Sequence, residues 1–185
     1  MPEQDPEAFD IFLEWLYTRL IKVSSYHPNE ESAAESNAWW ILGTKMYALA
    51  QYLQITSFGN DVIDLIGRSI IRKQGLKNPQ HDAIHLVYNS TVDGCGLRNL
   101  IVSLNVWRTE TDCWTVNGWK AYLEGCPAEF SQDMVVSLVR KHLGLDEDPF
   151  VNKKACQIFR DKELRWQEIR PAVNNLTEAA QPTGK

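Results

Sequence analysis

The sequence lacks long apolar runs, an excess of positive charge and closely spaced cysteines, and each absence excludes a class of protein. Its purely apolar stretches, such as Trp39–Leu42, are only a few residues long, whereas a membrane-spanning helix needs about 20. Lys and Arg number 19 against 24 Asp and Glu, a net charge of −5, which disfavours a surface that neutralises nucleic-acid phosphates. We therefore expect neither a membrane nor a nucleic acid as partner.

The four cysteines also lack the spacing of a metal or redox motif. They are Cys95, Cys113, Cys126 and Cys156, and no two of them form a Cys-x-x-Cys pair. The sequence begins Met-Pro-Glu-Gln-Asp-Pro-Glu, which is acidic and unlike the basic and apolar regions of a signal peptide. These observations predict an intracellular protein, cytoplasmic or nuclear, with reduced thiols and no cofactor.

What the sequence does contain is apolar and aromatic side chains at helical spacing. Hydrophobic residues make up 44% of the 185 residues, enough for one buried core without metal or disulfide support. Asp5 as N-cap and Pro6 as the first helical residue predict the start of a helix. Its apolar residues recur every three or four positions: Phe9, Phe12, Leu13, Leu16, Tyr17 and Leu20. This spacing predicts one broad apolar face.

The same spacing predicts further helices and therefore a mainly α fold. They are expected over about 36–54, 58–73, 84–88, from 97 onward, 130–143 and 149–166. The stretch 109–127 is less regular and is expected to form a loop with one short helix. The sequence contains no clear alternation of apolar and polar residues typical of a strand. Beyond Pro171 the composition becomes polar, and residues 171–185 are expected to be a disordered tail.

One pair of histidines is the strongest candidate for catalytic chemistry. In His81-Asp82-Ala83-Ile84-His85 the two imidazoles share a helical face and could bind one metal ion. A metalloprotease would require Glu where Asp82 stands, and a third ligand further on. Cys113 is an alternative nucleophile for which the sequence identifies no base. The simpler interpretation is a helix start with one surface and one partly buried histidine, and no enzymatic activity is expected.

The tryptophans are expected mainly in the core. Trp15, Trp39 and Trp40 occur at helical spacing, which is more typical of packing than of binding. Adjacent Trp39 and Trp40 are not expected to face inward together. One of the two should be exposed, and an exposed Trp indicates a contact surface.

A series of ordered motifs resembles the BTB/POZ domain. The first, Asp5-Pro6-Glu7-Ala8-Phe9 with Phe12-Leu13-Glu14-Trp15-Leu16-Tyr17-Thr18, is similar to the third helix of that domain. Two later segments are similar to the helix pair that follows it in the family: Met46–Ile55 and Phe58–Asp64. Three more are similar to the helices with which the filamentous-fungal branch continues: Val87–Thr91, Leu97–Val102 and Pro127–Phe130. The resemblance covers about residues 3 to 143.

The resemblance implies a division of the chain. Residues 1–74 correspond to the C-terminal part of a BTB/POZ-like domain, residues 75–170 to a helical extension and 171–185 to the tail. At most a short strand near 19–23 would remain of the family's sheet. The strands, dimer-forming helix and helical hairpin that precede these motifs in the family are expected to be absent.

The function that the resemblance implies is protein–protein interaction. A scaffold or substrate-adaptor role would follow, in oligomers or in cullin-type ubiquitin ligase complexes. The expected partner is another protein or a second copy of the chain, and no small-molecule substrate is expected. The expected contact residues are Phe9, Leu13, Leu16, Tyr17, Trp39 and Trp40. Two alternatives stay open, namely a small helical metal-dependent enzyme that uses His81 and His85, and a truncated gene product without function.

Overall fold

The computed structural model describes residues 5–23, 33–71, 78–108, 116–150 and 158–162. These residues form seven α-helices: α1 (Pro6–Thr18), α2 (Ala33–Tyr52), α3 (Thr56–Ile71), α4 (His81–Ser90), α5 (Gly96–Arg108), α6 (Val116–Glu124) and α7 (Ala128–His142). The mainly α class expected from the sequence is confirmed, and no strand occurs within these ranges. The disordered tail expected at 171–185 lies outside the described residues.

The first helix begins and ends through contacts within its own segment. The Asp5 carboxylate accepts hydrogen bonds from the backbone N–H groups of Glu7 and Ala8, at 3.0 and 3.2 Å, as its N-cap position predicts. Arg19 ends the helix in a left-handed conformation with φ of 55°. The Lys22 ammonium then lies 2.7 Å from the Glu14 carboxylate. The chain thus turns back towards α1 over 19–23, and the short strand allowed there does not form.

The second helix is surrounded by others, which corrects the expectation for its tryptophans. α2 packs against α1, α3 and α4, so its apolar side chains are covered on more than one side. Trp39 is only 4% exposed and Trp40 only 1%. The prediction that one of them is exposed was wrong, because it assumed a helix with a single buried face.

One hydrophobic core continues across residue 74. α2 packs against α4, and α3 packs against α5, which also contacts α7. The resulting cluster of buried side chains includes Phe12, Tyr47, Ile84, Leu100 and Phe130. Residues on both sides of the boundary implied by the resemblance therefore share this core.

The helix expected over 149–166 is not formed in the part that the structure describes. Pro149 and Phe150 lie in a turn, Ile158 and Phe159 in a single 3₁₀ turn, and residues 160–162 are irregular. The rings of Phe150 and Phe159 are 6.1 Å apart, whereas a continuous α-helix would separate these residues by about 13 Å along its axis. Residues 151–157 and 163–166 lie outside the described ranges.

Candidate protein-interaction surface

The first helix is anchored to the core along one side. Phe12 and Trp15 are buried, and their rings lie 5.2 and 5.0 Å from the ring of Phe58 on α3. The Trp15 indole N–H donates a 2.8 Å hydrogen bond to the Asp61 carboxylate. Since both an apolar and a polar contact fix Trp15, the rotation of α1 about its axis is well defined.

The opposite side of α1 carries apolar side chains that the described core does not cover. We call this set the outer face of α1: Phe9, Leu13, Leu16, Tyr17 and Leu20. Leu13 is 39% exposed and Tyr17 is 88% exposed. Four of these five residues are contact residues expected from the sequence, and the structure brings them together at i, i+4, i+7 and i+8 spacing on one helix.

Charges of opposite sign lie at the two ends of the outer face. Glu7 and Asp10 lie on the first turns of α1 and are exposed. Arg19 and Lys22 follow its last turn, and the Arg19 guanidinium lies 4.5 Å from the centre of the Trp15 ring. Acidic side chains near the N-terminus of a helix and basic side chains near its C-terminus both complement the helix dipole, and exposure to water keeps each contribution small. Their arrangement matters chiefly for what α1 can contact.

The anchoring also lowers one pKa. The hydrogen bond from the Lys45 ammonium, 2.5 Å from the Asp5 carboxylate, is the main cause that holds the pKa of Asp5 below its ordinary value of 3.8. Burial works in the opposite direction and the capped N–H groups of Ala8 and Glu7 add to the lowering. The start of α1 is therefore fixed to α2 by an ion pair.

Trp39 and Trp40, the remaining expected contact residues, do not belong to this surface. Both are buried on α2, where their large side chains fill space between neighbouring helices. The corrected surface therefore consists of α1 residues, with Leu20 added to those the sequence indicated.

A second set of exposed apolar residues was missed by the sequence analysis. On α7, Phe130 and Met134 are buried, whereas other apolar residues of the helix and of the turn after it are exposed: Val135, Val136, Leu138, Val139, Leu143 and Leu145. The sequence of α7 has more apolar residues than one buried helix face can hold. This excess is the sequence signal that could have indicated an exposed apolar surface. A groove of about 980 Å³ lies beside them, with Asp133, Asp146, Glu147 and Asp148 in its lining.

The histidine pair that the sequence singled out holds the end of a neighbouring helix. The His81 Nε2 lies 3.1 Å from the carbonyl oxygen of Tyr122, and the His85 Nε2 lies 3.1 Å from that of Gly125. A carbonyl oxygen only accepts, so each Nε2 carries the proton that it donates. The Tyr122 carbonyl also accepts from the Gly125 backbone N–H at 3.1 Å, and the Gly125 carbonyl lies just after α6. Each of these two carbonyls at the end of the helix therefore has an imidazole donor. His81 and His85 thus act on backbone groups of α6.

The other candidates for catalytic chemistry are not assembled into a metal cluster in the described part of the chain, where no three His, Cys, Asp or Glu side chains converge. Cys95 is buried, and burial raises the pKa of Cys126 to about 11, which keeps that thiol protonated at neutral pH. Cys113 lies outside the described residues. No described helix is long and apolar enough to cross a membrane.

Comparison with known proteins identifies no relative. No family model, no curated protein and no solved structure matches this chain. The resemblance to the BTB/POZ domain therefore rests on the sequence motifs, and the exposure of α1 rests on the structure.

Proposed function

We propose that this chain is a protein–protein interaction module of the BTB/POZ type, and that it associates with a second copy of itself through the outer face of α1. The observation that carries the proposal is the exposure of Phe9, Leu13, Leu16 and Tyr17 on a helix whose other side is firmly packed. Apolar side chains grouped in this way gain free energy when a partner removes them from water.

The charges of α1 favour a second copy as the occupant. In a two-fold symmetric pair the same surface meets itself, and the two α1 helices run antiparallel when the axis crosses them at a right angle. Leu13 lies midway between Phe9 and Tyr17, so it would lie near the axis, with Phe9 of each copy near Tyr17 of the other. Glu7 and Asp10 of one copy would then approach Arg19 and Lys22 of the other, which joins opposite charges at both ends.

A pair of matched variants tests the self-association. Leu13→Glu places a charge at the centre of the outer face, and Leu138→Glu places one on α7, where the leucine is exposed to a similar extent, 42% against 39%. By light scattering after size exclusion, we expect the unaltered chain and Leu138→Glu to be dimers and Leu13→Glu to be a monomer. Circular dichroism should show equal helicity for all three.

Two outcomes would contradict the proposal. One is an unaltered chain that stays monomeric up to high micromolar concentration. The other is a dimer that Leu13→Glu leaves intact, or one that Leu138→Glu dissociates as fully as Leu13→Glu does. Either result would show that the outer face of α1 is not the specific interface.

A scaffold or substrate-adaptor role is the finer part of the proposal and is supported by the resemblance. A dimer would present two copies of every other surface, which suits a protein that gathers partners. Recruitment of a cullin-type ligase scaffold is tested by mixing the purified chain with that scaffold and looking for co-elution. Elution as two separate species would reject the ligase role and leave the self-association to be judged by the variants above.

A further inference from the structure

A short segment of the chain, residues 158–162, is held on the core through its own backbone. The Asn60 side-chain amide donates to the carbonyl oxygen of Asp161 at 3.0 Å, and the Asp161 backbone N–H donates to the Asn60 side-chain oxygen at 2.7 Å. Asn60 is only 4% exposed, and Asp161 is half-buried, so these bonds are partly shielded from water. A side chain that bonds both backbone groups of one residue can bind any peptide of suitable conformation.

The Asp161 carboxylate is bound by two further donors. The Gly96 N–H, at the first residue of α5, donates to one oxygen at 2.9 Å, and the Tyr47 hydroxyl donates to the other. The positive end of the α5 dipole favours a carboxylate at that place. Burial is the main cause that raises the pKa of Tyr47, so this hydroxyl keeps the proton that it donates.

Glycine is required where the segment crosses α5. A Cβ atom on Gly96 would lie 1.7 Å from the Phe159 carbonyl oxygen and 2.7 Å from the Ile63 side chain. Any larger residue would exclude the segment from this place. Gly96 therefore both donates to the carboxylate and leaves room for the backbone that carries it.

The two residues before Asp161 are recognised separately. Phe159 is buried, with its ring 6.1 Å from that of Phe150. The Arg160 guanidinium points to α3, where it lies 3.9 Å from the carboxylates of both Asp61 and Asp64. Phe159 thus meets an apolar part of the protein and Arg160 an acidic part. Asp161 meets a part that is lined with hydrogen-bond donors.

We propose that Tyr47, Asn60 and Gly96, together with Asp61 and Asp64, form a binding site for a partner protein's peptide with the sequence aromatic-Arg-Asp, which the chain's own Phe159–Asp161 occupies in this structure. The segment acts as a tethered competitor that such a peptide replaces. This site is separate from the outer face of α1 and does not depend on self-association.

The tether determines how strongly the segment competes. A segment that belongs to the same chain as its binding site competes at an effective concentration that can reach the order of 1 mM. It would weaken the binding of a free peptide with an intrinsic Kd of about 10 μM by about 100-fold. Removing the tethered side chains should therefore reveal peptide binding that the unaltered chain largely conceals.

The experiment uses a labelled peptide with the sequence of residues 157–164 and two hosts, the full unaltered chain and the full chain with Phe159→Ala and Asp161→Ala. Fluorescence anisotropy should show peptide binding to the double variant about 100-fold tighter than to the unaltered chain. Replacing Asp161 in the peptide by Asn, or adding Asn60→Ala to the double variant, should weaken binding about ten-fold or more, because each removes a buried or charged hydrogen bond.

Several results would overturn the proposal. They are equal binding of the peptide and a scrambled peptide, equal binding by both hosts, and no binding by a double variant whose circular dichroism shows it folded. If the double variant does not fold, the milder Asp161→Asn chain replaces it as host and should bind more tightly than the unaltered chain. If neither host folds, Phe159–Asp161 is an integral part of the core and not an exchangeable ligand.

Discussion

At the scale of single residues, Arg98 shows how a buried charge is satisfied in this core. Its guanidinium donates to the carbonyl oxygens of Tyr88 and Thr91, at 2.9 and 2.6 Å, and lies 4.5 Å from the centre of the Tyr88 ring. These carbonyls belong to the end of α4, where the helix itself supplies no donors. Arg98 on α5 therefore caps the C-terminal end of α4. The exposed Asp93, 3.6 Å away, adds little because water screens it.

Replacing Arg98 should be among the more damaging single changes. Arg98→Met retains much of the side-chain volume but leaves the two carbonyls buried without a donor, so we expect a loss of about 3 kcal/mol in the free energy of unfolding. Urea denaturation measures it. Arg68→Met, at an exposed position on α3, is the control and should change stability by less than about 0.5 kcal/mol. Equal effects of the two changes would contradict the role given to Arg98.

A second residue-scale prediction concerns acid pH and Asp5. Because the pKa of Asp5 is lower in the folded state than its ordinary value of 3.8, its contribution is fully present above that value and is lost as the pH falls through the folded pKa. Asp5→Asn keeps the N-cap but removes the ion pair with Lys45. We expect it to cost about 0.5–1 kcal/mol at pH 6 and progressively less as the pH falls below 3.8 and through the folded pKa.

Urea midpoints measured between pH 2 and 6 test this prediction. The curves of the unaltered chain and Asp5→Asn should converge as the pH falls. Lys45→Met removes the other partner of the ion pair and is the control. In that background, Asp5→Asn should no longer change the urea midpoint in a pH-dependent way. A constant gap between the curves over the whole range would show that the ion pair is not its source.

At the scale of elements, α6 depends on a contact with α4. The carbonyls at its C-terminal end accept from His81 and His85, and a Cβ atom on Gly125 would lie 2.7 Å from the His81 ring. The imidazole therefore packs directly on the backbone just after α6. The histidine spacing that suggested a metal site in the sequence instead matches the spacing of the carbonyls that these side chains reach.

Gly125→Ala should disturb this contact selectively. The added methyl group would displace the His81 ring and its hydrogen bond, so we expect a loss of about 1–2 kcal/mol in stability and faster amide hydrogen exchange in α6. Gly144→Ala is a useful comparison, since Gly144 has a positive φ of 66° but open space around its Cβ position. It should lower stability without a selective change in α6 exchange. Unchanged exchange in Gly125→Ala would refute the contact.

At the scale of the whole molecule, the shared core makes the two parts of the chain depend on each other. Tyr47 and Ile63, on α2 and α3, are buried, and residues that follow position 74 cover them. The Tyr47 hydroxyl meets Asp161, and Ile63 lies beside Gly96. A fragment that ends at residue 74 would expose these side chains to water.

We therefore expect residues 1–74 expressed alone to lack a cooperative thermal transition, while the full chain unfolds in one step. Circular dichroism during heating distinguishes the two. The matching fragment 75–185 should behave like the first fragment, because it loses the same interface. A fragment 1–74 that melts cooperatively would show instead that residues 1–74 are an independent folding unit.

Local sequence signals predicted most of the helices, although the helix expected over 149–166 is not formed in the part that the structure describes. The N-cap at Asp5 depends on side-chain chemistry within a few residues, and the sequence predicted it correctly. The helix expected over 130–143 is α7, which ends at His142. The sequence also indicated four of the five residues on the outer face of α1. These features depend on neighbours along the chain, which periodicity reports directly.

Tertiary structure decided which faces are covered and which distant groups meet. Trp39 and Trp40 are both buried because α2 has helices on several sides, a fact that its own sequence does not contain. The bond from Trp15 to Asp61 spans 46 residues, and the bonds between Asn60 and Asp161 span 101. Such pairings depend on how whole helices pack, and the sequence pattern of one helix reports only its own period. The sequence alone therefore specified a helical protein with an apolar α1, while packing decided which of its surfaces stay open to a partner.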